Sequence, residues 1–170
     1  MFKQMTKRPT PDPIVKGQES VWKYPRPPAL ERTSKLIQVY YAGALIAETR
    51  DAWRVLETSH PPVYYLPRRD IEMSYLDPIS SASGCEWKGS AQYFDVRVGE
   101  DHAAQAVWTY PRPTDRFAPL EDHFAFYAQK MERCLVDGEV VRPQPGTFYG
   151  GWITQEVVGP FKGGPGSFGW

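Results

Sequence analysis

The sequence predicts a mainly β fold with little helix. Between residues 36 and 142 it consists largely of short runs of β-branched and aromatic residues, which are enriched in strands. Two pairs of runs are joined by two-residue turns, Ala42-Gly43 and Asp137-Gly138, as is typical of β-hairpins. The 17 prolines and 14 glycines cluster toward the two ends, so we expect an aromatic-rich core between those ends.

Ten strands follow from these patterns. The run at 63–66 is bounded by prolines, 71–76 alternates apolar and polar residues, and 90–98 is the richest in β formers. The alanines at 103–106 alone would favour helix, but the run to residue 110 fits a hairpin with 90–98. The Ser-rich segment 77–84 is predicted to be a loop. The predicted strands are 36–41, 44–48, 53–57, 63–66, 71–76, 90–98, 103–110, 124–127, 133–136 and 139–141.

The 170 residues suit one domain with two appendages. Residues 1–20 are polar and aperiodic and are predicted to form a mobile or loosely docked arm. The domain itself spans 21–142, and its proline-rich start at 22–28 favours an extended path. The tail, 143–170, is rich in Gly, Pro and aromatic residues. Each aromatic ring is worth roughly 1.5–3 kcal/mol if buried, so we expect part of the tail to pack on the domain or on a second subunit.

Composition gives no support for several classes of partner and cofactor. Twenty basic and 20 acidic residues cancel, which gives no reason to expect nucleic acid or an anionic membrane as a partner. No signal sequence or run of 18 apolar residues is present, so a soluble cytoplasmic protein is expected. Cys85 and Cys134 cannot supply a four-ligand zinc site, and two scattered thiols suit a reducing compartment. The three histidines have no ligand spacing, so neither a metal nor a cofactor is expected.

Candidate catalytic residues lie in two short stretches, 56–70 and 85–89. Glu57 ends a predicted strand and is interpreted either as a general base or as an acid that bonds nearby loop amides. Cys85 and Lys88 are three residues apart, and a neighbouring ammonium can activate a thiol; the alternative is a buried thiol beside a surface lysine. His60 follows Ser59, but sequence neighbours in an extended chain point to opposite faces. We therefore interpret His60 as a turn residue.

Candidate ligand-binding residues are aromatic, with one arginine. In the pairs Tyr64-Tyr65 and Tyr93-Phe94 one ring should face the core and the other a cleft, where a phenol can bond a ligand that the ring stacks on. Trp22-Lys-Tyr-Pro-Arg-Pro27 recurs as Trp108-Thr-Tyr-Pro-Arg-Pro113, either by chance or because two extended segments dock alike. Their Trp and Arg side chains could hold a planar or anionic molecule, or could serve packing alone. The predicted ligand-binding set is Tyr65, Tyr93, Trp108, Trp22 and Arg26.

Several motifs in combination resemble the family of domain of unknown function 427. They are Leu-Glu-Thr-Ser-His-Pro-Pro-Val-Tyr-Tyr-Leu-Pro at 56–67, Cys-Glu-Trp-Lys-Gly at 85–89, Ala-Gln-Tyr-Phe at 91–94 and Trp-Thr-Tyr-Pro at 108–111. The resemblance implies a β-tent-like fold, with two small antiparallel sheets packed at an angle. Many β-tent proteins hold zinc in paired Cys knuckles, but this chain has no Cys-x-x-Cys, so no zinc knuckle is expected. The family has been labelled nucleotidyltransferase-like, yet the sequence has no Gly-rich phosphate cradle that is followed by paired metal-binding acids.

Two functions remain open at this point. One is binding of a small polar or anionic metabolite in a cleft between the sheets, with or without catalysis, using Glu57, Lys88 and Cys85. The other is a non-enzymatic interaction or self-association module, such as a homodimer, that uses the Pro-rich arm and the aromatic tail. A redox role for Cys85 is a weaker third hypothesis, because it rests on the fold alone.

Overall fold

The computed structural model of the chain describes residues 8–85 and 87–170, with side chains for all of these except residues 81–85. In chain order the strands are β1 (Glu19–Ser20), β2 (Ala29–Thr33), β3 (Ile37–Tyr41), β4 (Ala44–Thr49), β5 (Ala52–Leu56), β6 (Val63–Pro67), β7 (Leu76–Cys85), β8 (Gly89–Val98), β9 (Asp101–Thr109), β10 (His123–Phe126), β11 (Arg133–Val136), β12 (Glu139–Val140), β13 (Arg142–Pro143), β14 (Trp152–Ile153) and β15 (Val157–Val158). Short 3-10 helices occupy Val21–Lys23, Arg68–Asp70, Met73–Tyr75, Asp115–Leu120 and Ala128–Lys130.

Two antiparallel sheets dominate the architecture. The larger has seven strands in the order β2-β5-β6-β10-β9-β8-β7, and the smaller has four in the order β12-β11-β3-β4. The tail adds two small pairs, an antiparallel one between β13 and β14 and a parallel one between β15 and β1. The prediction of a mainly β fold built on antiparallel sheets with little helix is therefore confirmed.

Both predicted hairpin turns are present. Ala42 and Gly43 have φ values of 49° and 79°, and Asp137 and Gly138 have 47° and 82°. Two successive residues with positive φ are what a type I′ turn requires, because its twist matches that of the flanking strands. The first turn joins β3 to β4, and the second joins β11 to β12.

Each face of the seven-stranded sheet carries its own apolar cluster. One cluster joins this sheet to the smaller one and contains Tyr64 and Phe94, together with Trp152 of the tail. Trp152 is 1 % exposed, and its ring stacks on that of Tyr64 at 5.1 Å. The opposite face carries a second cluster with Tyr65 and, partly buried, Tyr93. Strand alternation thus sends the two members of each aromatic pair to opposite faces, as predicted.

Three local predictions were wrong. Residues 71–76 form no strand until Leu76, because turn bonds from Ile71 to Arg68 and from Tyr75 to Glu72 close two 3-10 turns. The predicted loop at 77–84 lies within β7 instead. Its proline and serines are tolerated because β7 is an edge strand, and its pairing with β8 is irregular between Pro78 and Ala82.

The third error concerns the start of the domain. The predicted extended path does not begin at residue 22, since Val21–Lys23 is a 3-10 helix whose first turn is capped by Ser20; Tyr24, directly after this helix, is extended. Trp108, by contrast, lies within β9, so the two copies of the repeated Trp-containing motif adopt different structures. No helix among the described residues is long and apolar enough to span a membrane.

Candidate functional site

A cavity of about 480 Å³ lies against the face of the seven-stranded sheet that is turned away from the smaller sheet, and not between the two sheets, where the cleft was predicted. The tail borders it on one side. We call this cavity the cleft, and the following residues line it: Val55, Glu57, His60, Val63, Tyr65, Trp87, Lys88, Tyr93, Trp108, Tyr110, Tyr127, Gln144, Phe148, Tyr149, Gly150 and Lys162.

The floor of the cleft is a row of aromatic side chains on neighbouring strands. Tyr93 of β8 lies directly opposite Trp108 of β9. Trp108 donates a hydrogen bond from Nε1 to the hydroxyl of Tyr65 at 3.2 Å, and its ring lies 4.6 Å from that of Tyr127. Because three of these rings stand on strands of one sheet and Trp108 contacts both Tyr65 and Tyr127, the floor is a packed aromatic surface.

The tail forms the facing wall. Tyr127 donates a hydrogen bond from its hydroxyl to the carbonyl of Phe148 at 3.0 Å, which fixes the tail beside the floor. Gly150 lies directly on the Trp108 ring, because a Cβ at this position would lie 2.9 Å from Cζ3 of Trp108 and closer still to Cη2. Only a residue without a side chain permits this approach.

Glu57 is the acid of the cleft. It follows β5 directly, and its Oε2 lies 3.5 Å from Nε of Arg26 and 3.4 Å from Nε2 of His60. Burial tends to raise the pKa of Glu57, but the contact with His60 and the positive charges of Lys88 and Arg26 outweigh burial and lower this pKa. Glu57 is therefore a carboxylate at neutral pH, able to accept hydrogen bonds or a proton.

His60 and Gln144 connect this acid to the tail. Gln144 Nε2 lies 2.9 Å from Nδ1 of His60, and Gln144 itself is only 2 % exposed. The contact between Nε2 of His60 and Glu57 is longer than an ordinary hydrogen bond, and this nitrogen is buried without a hydrogen-bond partner among the described residues. We therefore describe it as a close contact and not as a hydrogen bond.

Two ammonium groups also line the cleft. Lys88 lies in the turn between β7 and β8, with its Nζ 5.9 Å from the ring centre of Tyr110 and 6.0 Å from that of Phe117. Lys162 reaches the cleft from the tail, 5.7 Å from the ring centre of Tyr149. Burial and the nearby Arg26 lower the pKa of Lys162, while Glu57 partly opposes that shift.

Two phenols of the cleft, one from the floor and one from the wall, remain protonated. Burial and the interaction with Tyr93 raise the pKa of Tyr127 to about 12. Burial and the charge of Glu57 also raise the pKa of Tyr149, against the opposing effect of Arg26. Both side chains are hence neutral at pH 7 and can donate a hydrogen bond.

The structure brings most of the predicted site residues to one place. Glu57, Lys88, Tyr65, Tyr93 and Trp108 all line the cleft. The side chain of Cys85 lies outside the described residues, so its predicted catalytic role stays a prediction.

The other two predicted residues do not line the cleft. Arg26 lies behind Glu57, where its guanidinium donates to the carbonyl of Thr58 at 3.0 Å. Trp22 packs in a separate cluster and donates its indole N–H to the carbonyl of Pro160. Arg26 therefore supports the site by holding Glu57, and Trp22 fixes the tail.

The sequence-based prediction missed His60 and the tail residues of the cleft, Gln144, Tyr149 and Lys162. His60 was interpreted as a turn residue only, and indeed its N–H closes a turn onto the carbonyl of Glu57 at 3.0 Å. The aromatic content of the tail signalled burial, but nothing in the sequence indicated against what. Among the described residues, no three His, Cys, Asp or Glu side chains are placed to share a metal ion.

Residues 29–137 match the domain of unknown function named DUF427. The chain belongs to this family. The DUF427 region runs from β2 through β11 and includes the floor of the cleft together with Glu57 and Lys88, whereas the tail wall lies beyond it. No curated protein matches the chain.

Proposed function

We propose that the cleft of this DUF427 protein binds a small anionic molecule with a flat or apolar part. The observation that supports this most directly is the composition of one cavity, in which Lys88, Lys162 and Glu57 share a wall of aromatic rings. Its volume of about 480 Å³ falls within the range of roughly 300–1,000 Å³ typical of small-molecule sites.

The balance of charge favours an anion. Two ammonium groups line the cleft against one carboxylate, and that carboxylate already lies beside the guanidinium of Arg26. Lys88 contacts the rings of Tyr110 and Phe117, and no ion pair involving Lys88 occurs among the residues that the structure describes. Its charge is thus available to a ligand carboxylate or phosphate.

Aromatic side chains supply the remaining affinity. Tyr93, Trp108, Tyr110 and Tyr149 offer ring surfaces for stacking, and phenol groups add hydrogen bonds. If the site is catalytic, ionised Glu57 would take a proton from the ligand, and Lys88 would stabilise negative charge that develops on it.

The test is a thermal-shift screen of aromatic carboxylates and phosphates against the matching neutral amides, followed by calorimetry on the hits. We expect the anions to bind and the amides not to. The variant Lys88→Ala should weaken binding by roughly 10- to 150-fold, the loss expected for one charged hydrogen bond of about 1.5–3 kcal/mol. Lys16→Ala, at an exposed position outside the cleft, is the matched control. Equal binding of amides and carboxylates would refute the proposal.

A second candidate function is association with a partner protein or with a second copy of the chain. It is favoured by Phe168, which is 93 % exposed. Removing the whole tail would not separate the two functions, because the tail also builds a wall of the cleft. Phe168→Ser leaves the cleft lining intact, so an unchanged particle mass in light scattering at high concentration would argue against self-association through this residue.

A further inference from the structure

The orientation of the Gln144 side-chain amide is determined by two backbone groups. The N–H of Gly151 donates to Oε1 at 3.0 Å, and Nε2 donates to the carbonyl of Lys162 at 2.9 Å. A backbone N–H can only donate and a carbonyl can only accept, so the oxygen and nitrogen of the amide cannot be exchanged. All three residues belong to the tail.

This orientation determines which nitrogen of His60 carries the proton. Because Nε2 of Gln144 is a donor, Nδ1 of His60 must accept its hydrogen bond at 2.9 Å. The imidazole is then neutral, with its proton on the other nitrogen, Nε2. A second proton on Nδ1 would place two donors face to face.

The protonated Nε2 of His60 faces Glu57. It is buried, has no hydrogen-bond partner among the described residues, and lies 3.4 Å from Oε2 of Glu57. The same carboxylate oxygen faces Arg26. No hydrogen bond to the other oxygen, Oε1, comes from the described part of the chain, so Oε1 is free to accept one from a ligand.

We propose that Gln144 and His60 are positioning residues that present Glu57 as a hydrogen-bond acceptor, and that this end of the cleft takes a hydroxyl or ammonium group of the ligand. The statement about the ligand group rests on the proposed function. Together with Lys88, it defines the ligand class as a molecule with an anionic group and a separate hydrogen-bond donor, such as a hydroxy acid or an amino acid. The tail then completes the site chemically as well as sterically, because it supplies the residue that sets the imidazole tautomer.

The first test needs no ligand. Nitrogen-15 NMR distinguishes the two imidazole tautomers, and the chain has only three histidines, so single His→Gln variants assign the signals. We expect His60 to be the neutral Nε2–H tautomer at pH 7. In Gln144→Glu the new carboxylate accepts a bond from Nδ1, so His60 should gain a proton there, while His102 and His123 keep their wild-type signals and report that the fold is intact. A wild-type His60 protonated on Nδ1 would overturn the proposal even if the variant fails to fold.

The second test uses two probes that differ in one donor, 4-(aminomethyl)benzoate and 4-methylbenzoate. We expect the amine to bind at least tenfold more tightly to the wild type, and this preference to vanish in Glu57→Gln but to persist in the exposed control Glu100→Gln. Equal affinities of the two probes for the wild type would refute the proposal that Glu57 accepts a hydrogen bond from the ligand. They would not count against the proposed anion site. Binding of neither probe would instead count against the anion site, and the histidine tautomer would still test the positioning role by itself.

Discussion

Replacing Gly150 with alanine should separate the tail from the floor of the cleft. The added Cβ would lie 2.9 Å from Cζ3 of Trp108 and closer still to Cη2, and real Cβ contacts are essentially never shorter than 3.0 Å. Trp108 cannot easily yield, since it is 7 % exposed, bonds Tyr65 and packs against Tyr127. Either the ring is displaced within the packed cluster or the tail lifts from it.

The magnitude follows from overpacking, which costs about 1–3 kcal/mol in a well-packed site. In a chain of this size each kcal/mol shifts the melting temperature by about 2–4 °C, so Gly150→Ala should lower it by roughly 2–12 °C. Gly164→Ala is the matched control, because a Cβ there meets nothing within 4 Å. Both variants are to be compared by calorimetry and by urea unfolding. Equal stability of Gly150→Ala and the wild type would refute the close packing of the tail on Trp108.

Three further predictions concern other parts of the molecule. Trp152→Ala should cost about 3–5 kcal/mol in urea unfolding, because it empties a buried site and leaves the carbonyl of Phe126 without its indole donor at 3.0 Å; a loss under 1 kcal/mol would contradict this. Glu57 has a lower pKa folded than unfolded, so it stabilises the fold above its ordinary pKa of 4.5 and loses this effect as the pH falls through its folded-state value. The loss of unfolding free energy that Glu57→Gln causes at pH 7 should therefore shrink toward pH 3. A loss that stays the same between pH 7 and pH 3 would contradict this prediction. Cys134 is 1 % exposed and burial raises its pKa, so in Cys85→Ser it should resist alkylation at pH 8 until urea unfolds the protein.

The strands that the sequence predicted well are those whose signal is local. The turns Ala42-Gly43 and Asp137-Gly138 define their hairpins because few residue pairs tolerate two positive φ values. Strand period alone correctly placed Tyr64 and Tyr65 on opposite faces of the sheet. The alanines of β9 show the limit of propensity, since this segment is a strand, with Ala103 paired to Val96 of β8, despite its preference for helix.

Composition alone gave no sign of two features, the strand at 77–84 and the burial of Gln144. Segment 77–84 has the composition of a loop, but it is an edge strand because β8 provides a template for it. Nothing near Gln144 marks it as part of a site, since its partner His60 is 84 residues away. A polar residue in a Pro-rich tail has no periodicity that could reveal burial.

By itself the sequence determined the class of fold, most strand positions and several residues that line one side of the cleft. These residues belong to short motifs that contain many polar and aromatic side chains, and they are Glu57, Tyr65, Lys88, Tyr93 and Trp108. Strand period and turn geometry depend on residues that are neighbours in sequence, so both can be predicted from one sequence. Only the tertiary structure decided that the tail closes the cleft, that Gly150 lies on Trp108, and that Gln144 orients His60 toward the acid. Those contacts depend on how distant segments fill shared space and satisfy each other's hydrogen bonds, and no local pattern encodes such pairings.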